Sequence, residues 1–139
     1  MKEQDLFYLL ALQRIEGVGD IMAKKLLTHL GSAEAVFNSK ASELAGIEGV
    51  GTVLLKNLKD KSVFEKANQE LEFIKANEIN AVYFQDEEYP ERLKHCIDGP
   101  LLLFSSGTIN LKNRKIISIV GTRQITSYGT EFCRKLIED

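Results

Sequence analysis

The sequence predicts a chain in two parts, an all-helical module followed by the start of an α/β module built on a parallel sheet. Three observations carry this expectation. Residues 1 to about 77 repeat apolar side chains at helical spacing. From Ile79 onward the apolar residues gather into short continuous runs, as in strands covered on both faces. Those runs alternate with helical turns. At 139 residues the chain has room for one ordinary domain or two very small ones.

Leu6, Phe7, Leu9, Leu10 and Leu12 give the first helix a broad apolar face. A second helix starts after Gly19, carries Ile21, Met22, Leu26, Leu27 and Leu30, and stops at Gly31. Short helices follow Ser32 and Ser39, and a fifth runs from Thr52 to Leu58. Ser62-Val63-Phe64-Glu65 reads as a capping box opening a longer helix that ends near Asn77. Strands are expected at Ala81–Phe84, Leu101–Phe104 and Lys115–Val120, with a helical turn begun by Pro90 between the first two. A last helix covers Ser127 to Glu138. The division falls between a helical domain, 1–65, and an incomplete α/β domain, 66–139, and the helix opening at Ser62 fits either side.

Composition narrows the classes of function. Apolar residues make up 44% and charged residues 27%, the balance of a folded domain and not of a disordered chain. The net charge of −2 excludes a globally basic, tail-driven nucleic-acid binder but permits a local basic site. No apolar run is long enough to span a bilayer, and the polar start Met1-Lys2-Glu3-Gln4-Asp5 is unlike a signal peptide. Cys96 and Cys133 have no metal-like spacing, so a reduced, cytoplasmic setting is expected. His29 and His95 read as surface or packing residues, and Asp86-Glu87-Glu88 as a solvated loop. No catalytic constellation, metal site or cofactor motif stands out, so an enzyme is not expected.

Leu12-x-x-Ile15-Glu16-Gly17-Val18-Gly19 is echoed by Leu44-x-x-Ile47-Glu48-Gly49-Val50-Gly51. Glycine, hydrophobic residue, glycine between two helices is the helix-hairpin-helix signature. The glycines permit a tight turn, and the amides of the next helix can hold a phosphate oxygen. Glu16, Asp20 and Glu48 oppose that use here. Turns that simply join helices, direct DNA contact and a protein-interaction surface are the three readings of this half.

A second motif is Gly121-Thr122-Arg123, at the end of the third expected strand and just before the last helix. Such a turn is where α/β sheets bind ligands. Its amides favour an anion, the Thr122 hydroxyl can donate, and Arg123 can grip a phosphate through two N–H groups. Gly99 to Thr130 contains no acid, while Lys112, Arg114, Lys115 and Arg123 fall inside it. A solvated turn with surface cations is the competing reading, and a small-nucleotide binder or hydrolase is a third.

Taken in order, the doubled Gly-Val-Gly, Tyr89-Pro90-Glu91-Arg92-Leu93, Asp98-Gly99-Pro100-Leu101-Leu102-Leu103-Phe104, and Ile117-Ser118-Ile119-Val120-Gly121-Thr122-Arg123 with Thr126-Ser127-Tyr128-Gly129 resemble the DNA-processing protein A family, DprA, also called Smf. The resemblance implies a sterile-alpha-motif-like or helix-hairpin-helix domain followed by a Rossmann-like one. It implies sequence-independent binding of single-stranded DNA and loading of the RecA recombinase in natural transformation, without enzymatic activity. It also implies that Gly121, Thr122 and Arg123 are the phosphate-binding loop. The remaining strands, the rest of the DNA groove and the dimerisation and RecA surfaces of the family would lie beyond this stretch, so the chain is expected to be an N-terminal fragment that binds weakly alone.

Overall fold

A computed structural model describes residues 1–108 and 119–138. Six helices come first: α1 (Glu3–Gln13), α2 (Asp20–Leu30), α3 (Ala33–Asn38), α4 (Ala41–Leu44), α5 (Thr52–Asn57) and α6 (Ser62–Ala76). Strand β1 (Asn80–Tyr83), the single helical turn α7 (Glu91–Lys94), strand β2 (Leu102–Ser105) and helix α8 (Ser127–Glu138) follow among the described residues. The helical limits follow from local chemistry. The Asp5 carboxylate accepts the Lys2 amide at the start of α1, and the Ser32 hydroxyl accepts the Ala35 amide at the start of α3. Gly31 ends α2, as expected.

The helices pack because each offers an apolar stripe. Leu12, Leu26 and Val36 are almost wholly excluded from solvent, from α1, α2 and α3 respectively. α6 lies along α1, contributing Ala67, Leu71 and Ile74 to the core. Phe7, Tyr8, Phe37 and Phe64 close one side, with ring centroids 4.8 to 6.1 Å apart. Ion pairs Arg14–Glu70 (2.6 Å) and Lys75–Glu3 (2.8 Å) tie the same two helices at the surface. The Glu3 carboxylate, which bonds Lys75, holds that ammonium above its ordinary value. Leu101 and Leu102 enter the same core, so the strand-bearing half and the helices share one interior.

Two expectations are corrected. Ser62 is not the cap of α6 but lies inside its first turn; Asp60 accepts both the Ser62 amide and the Ser62 hydroxyl, at 2.9 Å each. These two bonds hold the Asp60 carboxyl below its usual range. The second correction concerns the sheet. β1 and β2 pair antiparallel, Asn80 opposite Ser105 and Tyr83 opposite Leu102. A parallel pair needs a crossover, usually a helix long enough to cover a sheet face, and the connection here offers only the four-residue α7. Val82 and Leu102 lie on opposite faces of the pair and both are buried, while Phe104, on the Leu102 face, is 47% exposed.

Of the third expected strand, residues 115–118 lie outside the described residues, and Ile119 and Val120 are irregular. α8 covers the expected residues. Among the described residues no helix is long and apolar enough to cross a membrane.

Candidate functional site

The two Gly-Val-Gly turns have the same backbone. Gly17 and Gly49 have φ of 89° and 90°, a region in which a side chain is strained. In each turn the central valine returns its amide to the preceding isoleucine: Val18 to Ile15 and Val50 to Ile47, both at 3.0 Å. Val18 and Val50 are buried, anchoring the turns. Gly19 and Gly51 then open α2 and α5 in extended conformation, with φ of −88° and −90°.

The turns also face one another's helices. A Cβ on Gly17 would touch Leu54 of α5, and one on Gly49 would meet Met22 of α2. The Asn57 amide donates to the Glu16 carbonyl (3.0 Å), and Lys25 reaches the Glu48 carboxylate (2.8 Å). Met22 and Leu54, like Lys25 and Asn57, occupy matching places in the repeat. The hydrogen bond and charge of Lys25 hold the Glu48 carboxyl below its usual range. A shallow groove between the turns is lined by Gly17, Gly49, Gly51, Thr52 and Asn57.

Among the described residues of the strand-bearing half, side chains of α2 and Tyr89 hold the backbone at residues 99–101. The Gly99 carbonyl accepts Lys24 Nζ at 2.5 Å, the Pro100 carbonyl accepts the Tyr89 hydroxyl at 2.6 Å, and the Leu101 amide donates to Asp20 Oδ1 at 2.8 Å. The Leu101 carbonyl accepts the Phe84 amide at 3.0 Å. Gly99 has no room for a side chain, since a Cβ there would sit 2.8 Å from the Leu93 carbonyl oxygen. Tyr89 is buried, and burial, then the charge of Asp20 and finally Cys96, push its hydroxyl up.

Gly121, Thr122 and Arg123 are all exposed. The Thr122 hydroxyl donates to the Gln124 carbonyl (2.8 Å), bending the chain toward α8. Thr126 Oγ1 accepts the Gly129 amide (3.2 Å), capping α8, whose first turn carries no acid. Arg123 forms no ion pair among the described residues. Lys112, Arg114 and Lys115 lie outside the described residues.

Sequence reasoning missed the roles of Asp20, Lys24, Tyr89 and Gly99. Asp20 read as an acid beside a phosphate site; its carboxylate is turned onto a backbone amide of the other half. The only signal in the sequence was the Tyr89-Pro90 and Asp98-Gly99-Pro100 pattern itself. His29 is exposed and its Nδ1 contacts the Lys25 carbonyl, and His95 is exposed beside Glu91.

A repeated glycine-turn helical unit, with a short β-hairpin and an exposed Gly-Thr-Arg turn, defines the class as a helical module joined to a strand-bearing one. Residues 80–139 match the family described as DNA recombination-mediator protein A. The chain is 24% identical to Protein Smf of Synechocystis sp., over 98% of this chain and 35% of that protein. The DprA/Smf resemblance is thus borne out: residues 80–139 match that family's model, and the likeness to Smf runs through nearly the whole chain. A DNA ligase of Corynebacterium jeikeium is 37% identical over 59 residues, 42% of this chain and 8% of the ligase. The chain therefore spans about a third of the Smf relative's length and a small part of the ligase's. No solved structure matches the chain.

Proposed function

We propose that this chain grips the phosphates of single-stranded DNA through Gly121, Thr122 and Arg123, as part of a non-enzymatic recombination mediator that delivers the strand to RecA. The observation that carries the reading is the exposed Arg123 on a turn leading into a helix whose first turn has no acid. An anion there meets a guanidinium and the Ser127 and Tyr128 amides at the helix start, with no carboxylate of that first turn to repel it. Contact with phosphate alone positions a strand without reading its bases. Lys112, Arg114 and Lys115 extend the same acid-free stretch in sequence and are assigned supporting contacts. The description of the matching family as a DNA recombination mediator supports the setting. RecA contact, a homodimer, the Rossmann-like and sterile-alpha-motif-like folds, natural transformation and a cytoplasmic location belong to the same proposal for the whole protein.

The test is anisotropy of labelled oligo-dT against the 139-residue chain and its Arg123→Ala variant at two salt concentrations. Binding should weaken with salt, and the variant should bind more weakly with a salt slope lower by about 1. Equal affinity of the two proteins overturns the role of Arg123. A selective thermal shift with one mononucleotide and none with oligo-dT would overturn the whole reading.

A further inference from the structure

We propose that the first turn of α2 is a latch, in which Asp20 and Lys24 hold the 99–101 segment to the helical half so that the two halves move as one body. The two side chains stand four residues apart and so share one face of the helix. Each makes its hydrogen bond to backbone of the opposite half. Asp20 Oδ1 accepts the Leu101 amide at 2.8 Å, and Lys24 Nζ donates to the Gly99 carbonyl at 2.5 Å. The same ammonium lies 5.3 Å from the centre of the Phe84 ring, and Phe84 follows β1 directly. One helical turn therefore touches the chain at the end of β1 and at the start of β2.

Charge makes these bonds stronger than neutral ones, and partial burial keeps water from competing. Between them sits Leu101, fully buried in the shared core, with its carbonyl held by Phe84. From the other side Tyr89 holds the Pro100 carbonyl, a contact internal to the strand-bearing half. Backbone groups of three consecutive residues are thus engaged, two of them by α2.

The repeat supplies a comparison inside the same molecule. The places of Asp20 and Lys24 are taken in the second copy by Thr52 and Lys56. Both are exposed. Only the first copy carries the acid and is packed against the strands, so Asp20 has a use that the glycine turn by itself does not require. Because α2 begins at Gly19, a force on the first glycine turn passes to β2 through two bonds.

The test is hydrogen exchange and NMR relaxation on the 139-residue chain carrying Asp20→Ala with Lys24→Met. The Leu101 amide should exchange at least about tenfold faster, as expected for loss of a charged hydrogen bond. Amides of α1 and α6 should keep their protection, and relaxation at 99–101 should report faster local motion than in α2. Unchanged exchange at Leu101 overturns the proposal. So does loss of protection throughout, which would make the pair part of the folding core and not a latch. The single variant Asp20→Asn keeps an acceptor oxygen at the same place and should retain most of the protection at Leu101. Exchange there as fast as in Asp20→Ala would count against the latch.

Discussion

The Tyr89 hydroxyl donates to the Pro100 carbonyl across 2.6 Å, joining the Tyr-Pro motif to the Asp-Gly-Pro motif 11 residues later. Two stretches that look like separate signatures are one structural element. Tyr89→Phe keeps the buried ring and removes only the donor, leaving the Pro100 carbonyl without that partner. The cost should be about 1–3 kcal/mol in urea unfolding. The attachment of Gly99 and Leu101 to α2 should survive, because Asp20 and Lys24 remain. A variant as stable as the parent would show that water replaces the phenol without loss.

Glycine substitutions should separate two kinds of crowding. At Gly49 a Cβ would stand 2.8 Å from the Met22 methyl, the free end of a flexible side chain. At Gly17 the nearest neighbour, Leu54 Cδ1, is 3.7 Å away. The methionine can swing aside, so both alanine variants should suffer mainly the backbone penalty of positive φ, about 1–2 kcal/mol each. Gly99→Ala is different, for the Cβ meets the carbonyl oxygens of Leu93 and Cys96 at 2.8 and 3.1 Å. Backbone cannot step aside without opening the turn, and about 1–3 kcal/mol should be lost. Chemical denaturation of the three variants checks the order, and faster exchange confined to 93–101 in Gly99→Ala checks the place.

Alkaline pH should weaken the fold through Tyr83. Burial, and after it the charge of Asp86, push its hydroxyl up to about 12 from an ordinary 10.0. The folded state therefore resists losing a proton that the unfolded chain gives up earlier. The contribution is complete below the ordinary value and is lost as pH rises from there through the raised one. Thermal midpoints should be flat in this respect up to about pH 10 and then fall. Tyr83→Phe should fall less steeply over the same range, and identical slopes would remove Tyr83 from the account.

The helical half was legible because helix limits rest on local chemistry. Gly31, Ser32 and the apolar spacing of α1, α2 and α6 state their roles within a few residues of where they act. The glycine turns were legible as a repeat, and their matching torsions bear out that reading. Ser62 misled because a serine three residues before a glutamate has the form of a cap. Asp60, two residues earlier, reached the same amide and the hydroxyl as well. Strand direction was not legible, since an apolar run such as Leu101–Phe104 is equally consistent with either direction. What decided it was the return of the chain along β1, fixed by Lys24, Asp20 and Tyr89 from far away in sequence. Of the candidate site, the Gly121–Arg123 turn could be named from the sequence, but the use of Asp20 could not. A carboxylate beside a glycine turn looks the same whether it repels a phosphate or accepts a distant amide.

The reciprocal contacts of the two glycine turns give the helical half the anatomy of a homodimer written in one chain. Each hairpin is met at its glycine turn by the matching positions of the other, the relation found across a two-fold interface, although the residues at those positions differ. Such halves are interchangeable in principle, and the second hairpin of one molecule fits the first hairpin of another as it fits its own. The segment through α3 and α4 is long enough for the second hairpin to fold back on the first, which keeps the exchange within a single chain. Shortening that segment, so that the second hairpin no longer reaches back to its own first, is the route by which this protein would become a swapped pair.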